Sequence, residues 1–213
     1  MGKLRFQLSV SLDGFVAGPD QSEDNPLGVG GEGLHEWIIK LEAWRKQEGL
    51  EGGEVNASTP VVEAVQSNIG AALMGRNMFG GGPGPWSEDD PWNGWWGDNP
   101  PFHTPVFVLT HHPREALEMK GGTTFTFVTD GIESALEQAR QAARGKDVLV
   151  GGGAEVVQQY LATGLVDEFV LHVVPILLGD GERLLENLGE LKLEQVRANE
   201  APGVTHIKYQ VIK

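Results

Sequence analysis

The run from Val148 to Val157 constrains the fold of this chain more than any other segment. Three apolar residues, Val148–Val150, are followed by Gly151-Gly152-Gly153, and a helical pattern begins at Ala154. This order is typical of a strand, a tight turn and a helix start. Glycines let a ligand approach the backbone, and the free amides of a first helical turn favour an anion such as phosphate. The spacing matches neither G-x-G-x-x-G nor G-x-x-x-x-G-K-[ST], so neither nucleotide fingerprint is predicted.

Hydrophobic periodicity predicts an alternation of strands and helices along the whole chain. Residues 4–12 alternate apolar and polar side chains, which is typical of a strand. Further strands are predicted at 71–74, 106–109, 125–128, 147–150, 167–174, 191–198 and 204–212, and helices at 34–46, 58–69, 132–143 and 154–163. This order predicts a three-layer αβα fold with a mostly parallel sheet and an antiparallel C-terminal edge.

Composition favours one domain over residues 1–213. The chain has 213 residues, of which 40% are hydrophobic, and no interior stretch has the composition of a linker. A Trp-, Gly- and Pro-rich insertion at about 80–102 holds four of the six tryptophans, Trp86, Trp92, Trp95 and Trp96. Such an apolar insertion is expected to be either a lid over a site or a dimer contact.

The charge balance excludes some partners. There are 16 basic and 30 acidic residues, a formal net charge of -14, so nucleic acid is not an expected partner. A site for an anionic cofactor would need local cations in so acidic a chain. Arg76, His111, His112 and Arg114 are candidates for this reason.

The predicted compartment is the cytoplasm. The chain has no cysteine, which excludes disulfides, thiolate zinc sites and cysteine nucleophiles. No apolar run approaches the roughly 20 residues of a membrane span, and the N-terminus enters a strand directly. A soluble cytoplasmic protein with no membrane partner is therefore expected.

An ordered set of motifs carries a family resemblance that covers nearly the whole chain. It comprises SLDGFVA at 11–17, MGRNMF at 74–79, LTHHP at 109–113, VGGG at 150–153, and Asp167-Glu168 leading to PILLGDG at 175–181. Together they resemble the dihydrofolate reductase-like superfamily. The Pro-x-Leu-Leu-Gly-x-Gly run is similar to the reductase domain of the bifunctional riboflavin-biosynthesis deaminase-reductase and to stand-alone bacterial relatives. No deaminase zinc motif precedes the domain, so the complete bifunctional enzyme is not expected.

The resemblance implies that NADPH binds at the carboxyl ends of the parallel strands, as ligands do in open α/β sheets. Arg76 would bind the 2′-phosphate with a planar, charged fork, and its alternative is an exposed arginine that caps a helix or pairs with the acidic surface. The two adjacent histidines, His111 and His112, would point apart, so one at most need touch the ligand. No metal site is expected, because no further ligand stands at a suitable spacing. The implied cofactor-binding residues are Ser9, Val16, Ala17, Gly75, Arg76, Asn77, Thr110, His111, His112, Gly151, Gly152, Gly153, Ala154 and Glu155.

The implied catalytic and substrate residues are fewer. Leu34 stands where dihydrofolate reductases carry their acid, so His35 and Glu36 become the catalytic candidates, with His35 as a general acid. Trp37 is a substrate-binding candidate, and its alternative is core packing. Gly179 and Arg183 are candidates for a substrate phosphate, and their alternative is a hairpin turn.

The sequence is compatible with three functions. The first is an NADPH-dependent oxidoreductase resembling 5-amino-6-(5-phosphoribosylamino)uracil reductase of riboflavin biosynthesis, which transfers a hydride to a small heterocyclic or carbonyl substrate. The second is dihydrofolate reductase. The third is a non-catalytic nucleotide-binding or regulatory protein with the same fold. The resemblance also implies a homodimer.

Overall fold

The structure is a computed structural model that describes residues 2–87, 89 and 91–213. It has a mixed α/β fold with a large, mostly parallel sheet and antiparallel strands at its C-terminal edge. The strands are β1 (Leu4–Ser11), β2 (Phe15–Ala17), β3 (Ile69–Gly75), β4 (Pro105–Leu109), β5 (Leu117–Glu118), β6 (Thr124–Val128), β7 (Asp147–Gly152), β8 (Glu168–Val174), β9 (Glu182–Arg183), β10 (Leu193–Ala201) and β11 (Val204–Val211). The helices are α1 (Glu36–Ile39), α2 (Glu42–Gln47), α3 (Thr59–Gln66), α4 (Arg76–Phe79), α5 (Ile132–Ala143) and α6 (Ala154–Ala162).

By their internal contacts the residues form two compact units. The first contains the chain up to Phe6 together with Asn68–Leu165, and the second contains Gln7–Ser67 and Val166–Lys213. The boundary falls inside β1, and the single domain predicted above stays a prediction.

The first unit contains strands in the order β1-β7-β3-β4-β6-β5, all parallel to their neighbours except the short β5. Helix α5 packs against β3, β4 and β7, and α6 packs against β7 and β3. The Trp-rich segment packs against alternate residues of β3 and β4, which share one face of the sheet. The cluster there comprises Ala72, Met74, Val106, Val108, Phe79 and Phe125, with Trp86, Trp92, Trp96 and Phe102 against it.

The second unit contains the order β10-β11-β8-β1, and a separate two-stranded sheet of β2 and β9. Strands β10 and β11 form an antiparallel pair, and β11 pairs antiparallel with β8. The core of this unit contains Leu34, Trp37 and Leu41 with Val174 and Val204.

The single helix predicted at 34–46 is wrong. A 3₁₀ turn at Gly31–His35 leads into α1, and α2 begins only after Leu41, whose φ of -73° and ψ of 138° are extended. Leu41 forms a bridge with Glu54, and the Glu42 amide donates to the Glu54 carbonyl at 2.9 Å. Leu34, Trp37 and Leu41 are buried as the periodicity predicts, and Ile38 and Trp44 pack against them partly buried, but this bridge interrupts the helical hydrogen bonds.

The other predicted helices and strands are confirmed, with shifts of a few residues at their ends. Helix α5 has the predicted bounds, whereas β7 continues through Gly152 and β10 through Ala201. None of the helices in the described part of the chain has the length and apolar character needed to cross a bilayer.

Candidate functional site

The carboxyl ends of three parallel strands lie together in the first unit. Gly75 at the end of β3 is in register with Leu109 at the end of β4, and Met74 is in register with Gly152 of β7. The structure therefore brings these strand ends and the segments after them to one edge of the sheet, where α/β proteins bind ligands. The strand ends and following segments hold the predicted residues Arg76, Asn77, Thr110, His111, His112, Gly151, Gly152 and Gly153.

The glycine turn leaves open space at the start of α6. Gly153 precedes α6 with φ of -71°, and a Cβ on it would meet no other atom within 4 Å. The peptide bond between Gly152 and Gly153 is cis. The φ of Gly153 is one that any residue adopts and no neighbour fills the position of a Cβ, so the open space is suited to a ligand that contacts the backbone. At the helix start Ala154 is buried, and the Glu155 side chain is exposed.

Gly75 has a different reason to be glycine. A Cβ there would lie 2.8 Å from Cγ2 of Val156, so a side chain would force β3 away from α6. The same Cβ position lies 3.8 Å from the amide nitrogen of Gly153. Gly75 therefore lets the end of β3 lie close to α6, and its predicted contact with a cofactor stays a prediction.

Arg76 is held by the Trp-rich segment. Its Nε donates to the Gly80 carbonyl at 3.0 Å and its Nη2 to the Gly81 carbonyl at 2.8 Å. Its Cζ lies 3.1 Å from the centroid of the Trp86 ring. Nη1 is buried and has no hydrogen-bond partner. Burial, and then the charge of Arg114, lower the pKa of Arg76, which remains a cation at neutral pH.

The segment after β4 is ordered by its own hydrogen bonds. The Thr110 hydroxyl accepts from the His112 amide at 3.2 Å, and the His112 carbonyl accepts from Nε1 of Trp86 at 2.9 Å. His111 is exposed and His112 is half-buried. The predicted roles of Thr110, His111 and His112 at a phosphate stay predictions.

The second unit contains a buried polar chain that the sequence analysis missed. Nδ1 of His172 lies 2.8 Å from Nδ1 of His206, and Nε2 of His172 lies 3.0 Å from Oε1 of Gln7. At the other end, Nε2 of His206 lies 2.9 Å from Oγ of Ser58. With Gln7 oriented as it is, His172 donates to Gln7, His206 donates to His172 and Ser58 donates to His206. Both histidines are then neutral.

The environment of these histidines keeps them neutral. Burial, followed by the charges of His206 and His35, lowers the pKa of His172 to about 3. Burial lowers the pKa of His206 to about 4. The sequence offered one signal for this pairing, since His172 and His206 both fall inside predicted strands. Their position directly opposite each other depends on the register of β8 and β11, which only the structure gives.

Trp37 packs beside this chain. Its ring centroid lies 4.8 Å from that of His172 and 5.0 Å from that of His206. Its Nε1 donates to Oγ of Ser9 at 3.1 Å. Trp37 is a member of the hydrophobic core, which favours the packing role, and its role toward a substrate stays a prediction.

The two catalytic candidates differ in environment. Nδ1 of His35 is buried without a hydrogen-bond partner, and burial lowers the pKa of this histidine. Glu36 is exposed and lies 3.7 Å from Nζ of Lys40 as an i,i+4 pair. Only His35 therefore has an unpartnered polar atom that a ligand could satisfy.

Asp13 anchors the loop that holds the other substrate candidates. Its carboxylate accepts from the Ser11 hydroxyl at 2.6 Å and from the amides of Leu178 and Gly179. The bond from Ser11 contributes most to lowering the pKa of Asp13 to about 2. Arg183 donates to the Asp13 carbonyl. This arrangement fixes a turn, and the predicted phosphate contacts of Gly179 and Arg183 stay predictions.

Arg183 has further partners of its own. Its Nε lies 3.3 Å from Oε1 of Glu186, and its Cζ lies 4.3 Å from the Phe15 ring centroid. In the neighbouring β2, Val16 is half-buried and Ala17 is buried. Their predicted contacts with a nicotinamide stay predictions.

Comparison with solved structures shows the class of fold. The chain is similar to dihydrofolate reductase from Enterococcus faecalis complexed with NADP(H), with 14% identity, a TM-score of 0.53, and 100% of this chain and 98% of that chain covered. It is similar to a Shewanella sp. PV-4 protein provisionally assigned to riboflavin biosynthesis, with 20% identity, a TM-score of 0.64 and 99% of each chain covered. It is also similar to a diaminohydroxyphosphoribosylaminopyrimidine deaminase/5-amino-6-(5-phosphoribosylamino)uracil reductase from Thermotoga maritima, with 13% identity, a TM-score of 0.57, and 99% of this chain and 57% of that chain covered. The fold is dihydrofolate reductase-like.

Sequence comparison shows the family. The family model of the RibD C-terminal domain matches residues 2–207. Two uncharacterised proteins of Bacillus subtilis (strain 168) are each 33% identical: YwjB over 200 residues, which are 90% of this chain and 87% of YwjB, and YyaP over 214 residues, which are 97% of this chain and 94% of YyaP. The chain belongs to the RibD C-terminal domain family.

Proposed function

We propose that the protein is an NADPH-dependent reductase that transfers a hydride to a small heterocyclic or carbonyl substrate similar to 5-amino-6-(5-phosphoribosylamino)uracil. Membership of the RibD C-terminal domain family supports a reductase-like role. One observation carries the cofactor assignment, namely the open backbone at Gly153 on the same sheet edge as the unpartnered Nη1 of Arg76.

The residues present fit the cofactor. A buried guanidinium nitrogen without a partner costs free energy unless a ligand accepts from it, and a phosphate oxygen is a suitable acceptor. Open space beside Gly153 at the start of the nine-residue helix α6 suits a pyrophosphate. Arg76 would hold the 2′-phosphate, and Gly151, Gly152, Gly153 and the amide of Ala154 would hold the pyrophosphate.

The bound cofactor would supply the hydride, and the chain would supply orientation, a dry pocket and a proton. We propose His35 as the proton donor, because its buried Nδ1 lacks a partner, whereas Glu36 faces solvent. Burial lowers the pKa of His35, so this role requires a bound ligand that favours the protonated ring. We do not extend the proposal to folate, because Leu34, at the position of the expected acid, is buried in the core and has no proton to give.

Parallel titration with NADPH and NADH tests the proposal. Calorimetry should show a dissociation constant for NADPH at least about tenfold below that for NADH, because the 2′-phosphate adds charge-assisted hydrogen bonds. Cofactor oxidation is then followed with reducible pyrimidines, pterins and carbonyls. Binding of neither nucleotide would refute the reductase proposal, and binding without turnover of any candidate would favour a regulatory protein.

Substitution of Gly153 by alanine separates ligand binding from folding. The added Cβ meets nothing in the chain, so we expect the melting temperature to change by less than about 2 °C. We expect the affinity for both NADPH and NADH to fall by about tenfold or more, because the methyl group would occupy the space assigned to the pyrophosphate. Gly75→Ala is the contrasting variant, since its Cβ would clash with Val156 and lower the melting temperature. Unchanged affinity in Gly153→Ala would remove the pyrophosphate from this turn.

We also propose a homodimer, as the resemblance implies. Light scattering coupled to size exclusion would measure the mass in solution, and a monomer at all concentrations would refute the proposal. The four tryptophans of residues 80–102 are half-buried, and the choice between a lid and a dimer contact stays a prediction.

A further inference from the structure

Two arginines share one aromatic ring beside the proposed cofactor site. Cζ of Arg76 lies 3.1 Å from the Trp86 ring centroid, and Cζ of Arg114 lies 4.9 Å from it. Cζ of Arg114 also lies 5.4 Å from the ring of Phe127. Among the residues that the structure describes, neither arginine forms an ion pair with a carboxylate, although the chain carries 30 acidic residues.

This arrangement is unfavourable for the chain by itself. Burial lowers the pKa of both arginines because each loses hydration, and the charge of Arg114 lowers the pKa of Arg76 further. An acidic protein could pair both arginines with carboxylates at little cost. A site that keeps them unpaired is suited to an anion that is not part of the chain.

The two guanidinium groups are also held in place. Besides the bonds of Arg76 to Gly80 and Gly81, Nη2 of Arg114 donates to Oδ1 of Asn93 at 2.8 Å, and its Nη1 donates to the Trp92 carbonyl. All of these acceptors are neutral. They orient the guanidinium groups without cancelling their charge, which is the arrangement that binding of an external anion requires.

Trp86 is the support that the two arginines share. Its Nε1 donates to the His112 carbonyl, and its ring contacts Phe79 edge-on at 5.8 Å and Phe127 at 4.9 Å. These contacts immobilise the ring. A fixed ring against Arg76 restrains the plane of its guanidinium group. It therefore also fixes the orientation of Nη1, the nitrogen that has no hydrogen-bond partner.

The pair lies at the sheet edge already described. Arg76 directly follows Gly75 at the end of β3, and Arg114 follows the end of β4 by five residues. Strands β3 and β4 are parallel neighbours with Gly75 opposite Leu109. The unpaired charge is therefore where the proposed function puts a phosphate.

We propose that Arg114 and Trp86 are specificity-determining residues that join Arg76 in binding a phosphate monoester dianion, with the 2′-phosphate of NADPH as the first candidate. This inference rests on the proposed function. Arg114 supplies a second positive charge, and Trp86 holds Arg76 in the orientation that selects a phosphate. From the sequence, Trp86 is expected only in a lid or a dimer contact.

Calorimetry with adenosine 2′,5′-bisphosphate, AMP and inorganic phosphate tests the proposal on the whole chain. We expect Arg114→Gln and Trp86→Leu each to weaken binding of the bisphosphate by about tenfold or more and binding of AMP by less than about threefold. Trp86→Phe keeps an aromatic face and should retain most of the affinity. Lys146→Gln removes one exposed positive charge of the same unit, and Trp96→Leu removes a tryptophan of the same segment that contacts neither arginine. Both controls should bind the bisphosphate as the parent protein does.

The possible outcomes separate this inference from the proposed function. If the parent protein prefers NADPH but Arg114→Gln binds the bisphosphate as tightly as the parent does, and Trp86→Leu loses thermal stability without losing affinity, the inference is refuted and the proposed function stands. If the parent protein binds inorganic phosphate through Arg114 but binds neither nucleotide, the anion site is supported with a different phosphate ester as its ligand, and the proposed function is refuted. If the controls weaken binding as much as the test variants, the effect is one of net charge or folding and the inference is refuted.

Discussion

Acidification from about pH 6.5 to about pH 5 is expected to lower the free energy of unfolding by about 3 to 4 kcal/mol through His172 and His206 alone. Both histidines have folded-state pKa values, about 3 and about 4, that lie below the ordinary value of 6.5. The unfolded chain therefore takes up protons in this window while the folded chain does not. The contribution of the two histidines to the free energy of unfolding is fully present above their ordinary pKa of 6.5. It is lost as the pH falls toward their folded-state pKa values.

Between these pH values, the slope of the free energy of unfolding against pH approaches about 2.7 kcal/mol per pH unit for the two histidines together. His35 acts in the same direction, since burial lowers its pKa as well. Asp13 does not contribute in this window, because the shift of its pKa from 3.8 to about 2 affects stability only at lower pH. Urea denaturation at a series of pH values measures the slope directly.

Variants identify the source of the slope. His206→Gln should reduce the slope by roughly half and should cost about 1 to 3 kcal/mol at pH 7.5, because it disrupts the bonds to His172 and Ser58. His111→Gln is the matched control, since His111 is exposed, and it should leave the slope unchanged. If the free energy of unfolding of the parent protein does not change with pH, the proposal that His172 and His206 are buried as a neutral pair is contradicted. The same holds if His206→Gln and His111→Gln change the slope equally.

Replacement of Arg76 by alanine is expected to weaken NADPH binding by about 30- to 100-fold and NADH binding by less than about threefold. The reason is the buried Nη1, which has no partner in the chain and can donate to a 2′-phosphate. Arg76→Lys should recover only part of the affinity, because an ammonium group lacks the planar fork that Gly80 and Gly81 orient. Calorimetric titrations of the three proteins with both nucleotides provide the comparison.

Arg76 also contributes to folding, so the readout must be the ratio of the two affinities. The alanine variant loses the bonds to the carbonyls of Gly80 and Gly81, and its melting temperature should fall. A structural defect would lower the affinity for NADPH and for NADH by the same factor. Equal losses would therefore refute contact between Arg76 and the 2′-phosphate.

Local patterns predicted most of the fold. The alternation in β1, the apolar runs of β3 and β4, and the amphipathic period of α5 reflect burial against nearby residues in a regular element. The broken helix around Leu41 was missed because its cause, the bridge to Glu54, lies 13 residues away in the chain. No periodicity in a short window contains that information.

The candidate site could be predicted only in part. The segments after β3, β4 and β7 could be identified because glycine and the residues at strand ends mark them in the sequence. The support of Arg76 by Trp86 could not be predicted, since the described residues of 80–102 form no helix or strand. The tryptophans of this segment are instead anchored by individual indole hydrogen bonds. The chain from Gln7 to Ser58 through two histidines likewise depends on the pairing of strands that are distant in sequence.

The anchoring of residues 80–102 restricts how this protein can diverge. Nε1 of Trp92 and Trp95 donate to the carbonyls of Phe79 and Met78, in the same short helix that begins with Arg76. A deletion that included Gly80, Gly81 and Trp86 would remove the acceptors of Arg76 together with its aromatic support. Relatives that lack the segment would need a different anchor for the arginine, so the length of this loop and the choice of nucleotide should change together during evolution.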